Sequence, residues 1–170
     1  MFSSDTYPNK WFVEYAKDAD LVVHECFIAV PDLVNKMKFS PESALLVGTQ
    51  VHTAPEAFGK VMSAVKPRMA VAYHFFKDLD APASVYERIR KTYDGPLSIA
   101  VDYMVWNVTK DDIRVRMAVV SENVWPLPSV TEKLPADPSE KVGFTDYINS
   151  GREVFSDLIE ETYNETNEMF

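Results

Sequence analysis

The chain has one cysteine, three histidines and no apolar run near the length of a membrane span. Cys26 has no partner within the chain, so an internal disulfide is excluded and a reducing cytoplasm is the expected compartment. A membrane-crossing helix needs roughly 20 successive apolar residues, and none are found, so no membrane partner is expected. The first residues carry neither the basic region nor the apolar stretch of a secretory leader. Positive charge is scarce too: 17 Lys and Arg against 26 Asp and Glu leave a net charge of −9. Phosphate backbones are bound through clustered Lys and Arg, so nucleic acid is disfavoured as a partner. No internal repeat and no low-complexity segment stands out.

What is present argues for a folded α/β domain. The 170 residues are 46% hydrophobic, with 3 Trp, 8 Tyr and 10 Phe, enough for a moderate core. Phe2 steps into Ser3-Ser4-Asp5 like the end of a strand whose beginning is missing. Thr6 is placed to cap a helix with Pro8 in its first turn and Trp11, Phe12 and Tyr15 inward. Leu21-Val22-Val23 reads as a buried strand. A short helix is expected over 31–38, and Pro41 and Gly48 mark a loop before His52. Thr53 is placed to cap the next helix, with Glu56 three residues on. In that helix Ala54, Ala57, Phe58, Val61, Met62 and Val65 form an apolar stripe.

Met69 to Tyr73 is the next buried strand. A helix over 82–93 turns Val85, Tyr86, Ile89 and Tyr93 inward. Strands follow at Leu97–Met104, Val105–Thr109 and Ile113–Val120, with a turn at Lys110-Asp111-Asp112. Three units result: a domain over 1–122, a Pro-rich connector over 123–143, and a tail over 144–170. The tail ends in an amphipathic acidic helix at about 151–164.

All three histidines lie in the first half of the chain, with Asp5 and Glu25, at strand ends or helix starts. Singly, each has a plain structural use: Asp5 and His52 as helix caps, His24 as a hydrogen-bonded core histidine. Together they suggest more. Parallel strands bring their carboxyl ends to one edge, where α/β proteins place ligands. Imidazole nitrogen and carboxylate oxygen suit zinc, and equally manganese or iron. Glu25 beside His52 would make a carboxylate–imidazole pair that orients a proton donor.

Four stretches carry a resemblance. Ser3-Ser4-Asp5-Thr6-Tyr7-Pro8, Ala19-Asp20-Leu21-Val22-Val23-His24-Glu25-Cys26-Phe27, His52-Thr53-Ala54-Pro55-Glu56-Ala57-Phe58 and Ala70-Val71-Ala72-Tyr73-His74 resemble the C-terminal half of the metallo-β-lactamase superfamily. The branch is that of ribonuclease Z and its arylsulfatase-like relatives. Pro67 to Phe76 and Tyr93 to Leu97 are closest to the guanitoxin-biosynthesis-type metallo-hydrolases. The motifs cover about residues 2–76. The resemblance implies half of a four-layer αββα sandwich, with a mixed sheet and helices on its outer face. It implies a hydrolase of a phosphoester, sulfate ester or related small-molecule ester, using water activated between two divalent metal ions.

Under it Asp5 and His74 are metal ligands, Asp5 bridging. His52 and Glu25 are the catalytic pair, and His24 lies next to the site without an assigned role. Cys26 stands where ribonuclease Z has alanine and reads as a buried small residue. Two departures bear on this. Phe75-Phe76-Lys77-Asp78 replaces the Ser-x-Arg-Tyr-like stretch of ribonuclease Z, which with the acidic charge speaks against a transfer-RNA substrate. The ligand cluster His-x-His-x-Asp-His of the superfamily's N-terminal half is absent. The chain is therefore expected to bind metal weakly alone, to leave one sheet face open, and to associate with an N-terminal half-domain or another copy. The alternatives are a non-catalytic remnant or split-protein subunit acting by association, and a plain α/β domain with structural histidines.

Overall fold

Three parallel strands run side by side in the order β1 (Leu21–Glu25), β2 (Met69–Tyr73) and β3 (Leu97–Ile99). The computed structural model describes residues 1–77, 80–120, 144–153, 155 and 157. Leu21 pairs with Met69 and Glu25 with Tyr73, while Ala70 pairs with Leu97 and Ala72 with Ile99. Phe2 forms a parallel bridge to Val23, fixed by Ser3 N–H to the Val23 carbonyl at 2.9 Å and Val23 N–H to the Met1 carbonyl at 2.9 Å. The first residues thus lie against β1 and deliver Asp5 to the carboxyl edge of the sheet.

Parallel neighbours need long crossovers. Between β1 and β2 run α2 (Val30–Asn35), α3 (Pro41–Leu46), a π-helical turn at Val47–Val51, and α4 (Pro55–Val65). Helix α5 (Ala81–Arg90) links β2 to β3. The stripe expected on α4 is the core of the molecule: Phe58, Val61, Met62 and Val65 are buried against Val22, Ala70 and Ala72. Burying each such side chain contributes roughly 1.5–3 kcal/mol. A left-handed Lys66 ends α4 before Pro67. Parallel and antiparallel strands are both present, the latter as a separate hairpin of β4 (Met104–Val108) and β5 (Ile113–Met117). Thr109 and Asp112 close its turn through backbone and side-chain bonds.

Several expectations need correction. Helix α1 spans Lys10–Ala16 and is capped by Asn9, whose side chain accepts the Trp11 N–H. Thr6 is not a cap, and Tyr15 is exposed. The stretch before His52 is helical rather than a loop. Ala54, not Thr53, occupies the N-cap position of α4, and Thr53 is fully buried with its hydroxyl bonded to the Thr6 carbonyl. Tyr86 is exposed on α5. The open face is met only in part: Val22, Val23 and Ala70 to Ala72 are buried, whereas β3 is half-buried and Val101 and Tyr103 just after it are exposed, as are apolar side chains of the hairpin. The connector over 123–143 and most of the helix expected over 151–164 fall outside the described residues. Of the described tail residues, Asp146–Ser150 form α6.

Candidate metal centre

Each of Asp5, His52 and His74 follows directly from an element described above. Asp5 ends the segment paired to β1, His74 follows the last residue of β2, and His52 closes the π-helical turn. One ligand atom from each lies within 4.8 Å of the others. His74 Nδ1 is 3.4 Å from Asp5 Oδ1, and the His52 and His74 rings are 5.1 Å apart. The convergence of Asp5 with His74 is therefore met, and His52 joins them. His74 holds φ at 77°, a left-handed conformation that costs a non-glycine residue energy and that is found repeatedly at functional sites.

Glu25 stands behind His52, with its side chain wholly buried. Its Oε1 accepts the Thr6 N–H at 2.9 Å and the Thr53 N–H at 3.1 Å, and lies 3.2 Å from His52 Nδ1. An oxygen already holding two N–H donors fixes His52 Nδ1 as a third donor. That tautomer leaves His52 Nε2 as the nitrogen with a free lone pair. Thr53 completes the frame by donating its hydroxyl to the Thr6 carbonyl at 2.8 Å. Glu25 Oε2 has no partner among the described residues. Burial pushes the Glu25 carboxyl up to about 8, against the pull of the Thr6 and Thr53 amides and with a further push from the Asp5 charge. Burial, then the neighbouring His74, holds His52 below the ordinary histidine value, while Asp5 acts the other way.

The donor set fits a divalent cation. Two imidazoles and a carboxylate are a ligand set that zinc accepts, and a tetrahedral shell with bonds near 2.1 Å places donors about 3.3 Å apart. Asp5 Oδ1 and His74 Nδ1, 3.4 Å apart, already stand near that spacing, and one ligand atom from each of the three groups lies within 4.8 Å of the others. They retain partial solvent access, with side-chain exposures of 56% for Asp5, 14% for His52 and 32% for His74. Phe27 stacks on His52, ring centroids 4.3 Å apart, and Phe76 meets Phe27 edge-on at 5.9 Å. These two rings were not singled out from the sequence. An aromatic next to a motif carries no signal of its own until the fold brings it over the imidazole.

His24 does not belong to this group. Alternation along β1 turns it to the helix side, where its ring lies between Phe12 at 4.7 Å and Phe58 at 5.9 Å. Its Nδ1 donates to the Glu25 carbonyl at 2.6 Å, and its Nε2 has no partner among the described residues. Burial lowers it to about 4, so it is neutral at physiological pH. Cys26 is fully buried, and burial raises its thiol well above the usual range.

No protein-family model matches the sequence, and no curated protein matches it. Among solved structures, the metallo-beta-lactamase fold protein YhfI from Bacillus subtilis is similar at 17% identity and a TM-score of 0.41. The match covers 58% of this chain and 35% of that one. A likeness at that level carries no argument, so the site stands on its own residues.

Proposed function

We propose that this chain carries a divalent-cation site of a metal-dependent hydrolase related to the metallo-β-lactamase superfamily, with Asp5, His52 and His74 as protein ligands. The observation that carries the reading is the meeting of those three donors within 4.8 Å at the carboxyl edge of a parallel sheet. Three protein ligands and one open position is the pattern of hydrolytic zinc sites. The four motif stretches that resemble the superfamily support the same reading. A cation held there, zinc by preference and manganese or iron by donor type, supplies Lewis acidity to a substrate oxygen and makes water a better nucleophile.

The residues do the rest. Glu25 holds His52 in one tautomer, and the Thr6 and Thr53 amides hold Glu25. The amide-held Glu25 keeps the His52 Nδ1–H turned inward, so His52 Nε2 is the nitrogen offered to the cation. Phe27 screens one face of His52 from water. A small ester of phosphate, sulfate or carboxylate suits the open side of the group, where Asp5 is half exposed.

Equilibrium dialysis against Zn2+ is the direct test. One Zn2+ per chain is expected, with the stoichiometry lost in Asp5→Asn and His74→Ala. Wild-type chain that holds no more Zn2+ than either variant sinks the proposal. Activity on p-nitrophenyl esters and bis(p-nitrophenyl) phosphate then separates a hydrolase from a bare cation site.

A second reading, association with a second polypeptide, is favoured by a different observation. One face of the β4–β5 hairpin is apolar, and Val108, Val115 and Met117 on it are 40–54% exposed. Such a face invites a partner.

A further inference from the structure

The segment 144–153 is laid across the start of α1. Tyr147 stacks on Trp11 with centroids 5.1 Å apart, and the Trp11 indole N–H donates to the Tyr147 carbonyl at 3.2 Å. Lys10 N–H reaches the Gly151 carbonyl at 2.7 Å, and Glu153 N–H reaches the Pro8 carbonyl at 2.9 Å. Gly151 is required by this close approach, because a Cβ there would sit 2.1 Å from Trp11 Cδ1. The result is to bring Arg152 to two loops at once. Its guanidinium lies over the Tyr7 ring at 4.2 Å, and its Nη2 donates to the Gln50 carbonyl at 2.6 Å.

Those loops are the ones that frame the candidate site. Tyr7 follows Thr6, whose amide and carbonyl bond Glu25 and Thr53. Gln50 lies in the π-helical turn that ends at His52, where the His52 N–H bonds the Val47 carbonyl at 3.0 Å. A π-turn is an uncommon, single-turn device, and its terminal carbonyls lack helical partners. A cationic fork that satisfies one of them fixes the turn.

We propose that Arg152 is a positioning residue: it ties the Asp5–Tyr7 loop to the His52 turn and so sets the separation of Asp5 from His52. This rests on the cation reading of that site, and it makes the segment 144–153 part of the site's frame although it supplies no ligand. The charge matters less than the shape. A planar guanidinium can stack on a phenol and bond a carbonyl together, which an ammonium does only in part.

The test uses the full chain, first freed of metal with a chelator and then titrated with Zn2+ in competition with a chromophoric chelator. Three histidines give three resolvable sets of imidazole signals, and His24, deep among Phe12 and Phe58, serves as the internal control. Arg152→Ala and Gly151→Ala are each expected to move the His52 ring signals, speed exchange of the Thr53 amide, and weaken Zn2+ binding about tenfold. His24 signals stay in place, and Arg152→Lys recovers part of the loss. The proposal is overturned if Arg152→Ala leaves His52 and Zn2+ affinity as in the wild type, or if Gly151→Ala acts where Arg152→Ala does not. It is overturned also if His24 moves as far as His52, which marks general loosening. Should Arg152→Ala not fold, Arg152→Lys decides by the same signals. A wild-type chain that binds no Zn2+ defeats the cation reading alone, since the metal-free signals still judge Arg152.

Discussion

In the parallel sheet, Val22, Ala70, Val71 and Ala72 are fully buried, whereas in the β4–β5 hairpin Val108, Val115 and Met117 are 40–54% exposed. The strands differ in pattern: Met69 to Tyr73 is a continuous apolar run, whereas β5 alternates Ile113, Val115 and Met117 with Arg114 and Arg116. The difference follows cover. Helices α1, α4 and α5 close one face of the parallel sheet, where His24 lies with Phe12 and Phe58, and β1 buries two polar atoms that have no partner among the described residues, His24 Nε2 and Glu25 Oε2. In the hairpin the polar side chains pair along the surface, Arg114 with Asp112 and Arg116 with Asn107, where such bonds contribute little. Chemistry is therefore expected at the edge of the covered sheet, and association at the uncovered one.

The widest gap between the regions is expected in packing. Phe58→Ala opens a cavity beneath β1 and costs about 3–5 kcal/mol in urea denaturation. Val115→Ala removes a half-exposed side chain and costs less than about 1 kcal/mol. Equal losses would break the comparison, because they would mean that the hairpin is covered in solution as the core is.

A second test turns on neighbours that titrate in opposite senses. Glu25 rises to about 8 in the folded chain, so the folded state holds its proton more tightly than the unfolded chain does. The stability this lends is present below about 4.5 and is lost as pH rises through 8. His24 is lowered to about 4, so its contribution is present above 6.5 and is lost as pH falls toward 4. Between pH 4.5 and 6.5 the two slopes oppose, and metal-free protein is expected to keep a nearly constant urea midpoint there. Above 6.5 Glu25 acts alone and stability declines. In His24→Phe the larger opposing slope is lost and stability falls across the formerly flat range, by less than the roughly 2 kcal/mol that Glu25 alone would give, because His52 is lowered too and still opposes it. A flat range that survives this substitution would show that the hairpin and surface charges, not the buried pair, set the profile.

The sequence carried the parallel sheet well, for a physical reason. Leu21 to Val23 and Met69 to Tyr73 are short apolar runs, and the stripe from Ala57 to Val65 has a helical period; both follow from burial on covered faces. The meeting of Asp5 with His74 was legible because both end such runs. The rest depended on longer-range competition. Thr6 and Thr53 have the chemistry of helix caps, yet their amides go to the Glu25 carboxylate, a tertiary demand that no local pattern announces. Pro41 and Gly48 read as loop punctuation, yet Pro41 opens α3 and Gly48 lies inside the π-helical turn before His52. Gly48 lies against Val30 there, and a Cβ would come within 2.6 Å of Val30 Cγ2. Arg152 was invisible, since its role exists only once residues 144–153 are laid against α1.

The smallest expected effect is also the one that sharpens the contrast most. Met104 pairs with Met117, Trp106 with Val115 and Val108 with Ile113, so six apolar side chains share one face of the hairpin. Val115→Thr preserves shape and adds a hydroxyl that water can satisfy; combined with Met117→Thr it is expected to change the unfolding free energy of the single chain by under about 0.5 kcal/mol each. If that face is where a partner sits, the same pair of changes removes apolar area from the contact and moves the chain toward the monomer in sedimentation velocity across a range of concentrations. Unchanged sedimentation with unchanged stability would leave the hairpin as an ordinary solvated surface. Lost stability without a change in sedimentation would place these side chains in an intramolecular contact, and the division into a covered sheet and an open one would have to be redrawn.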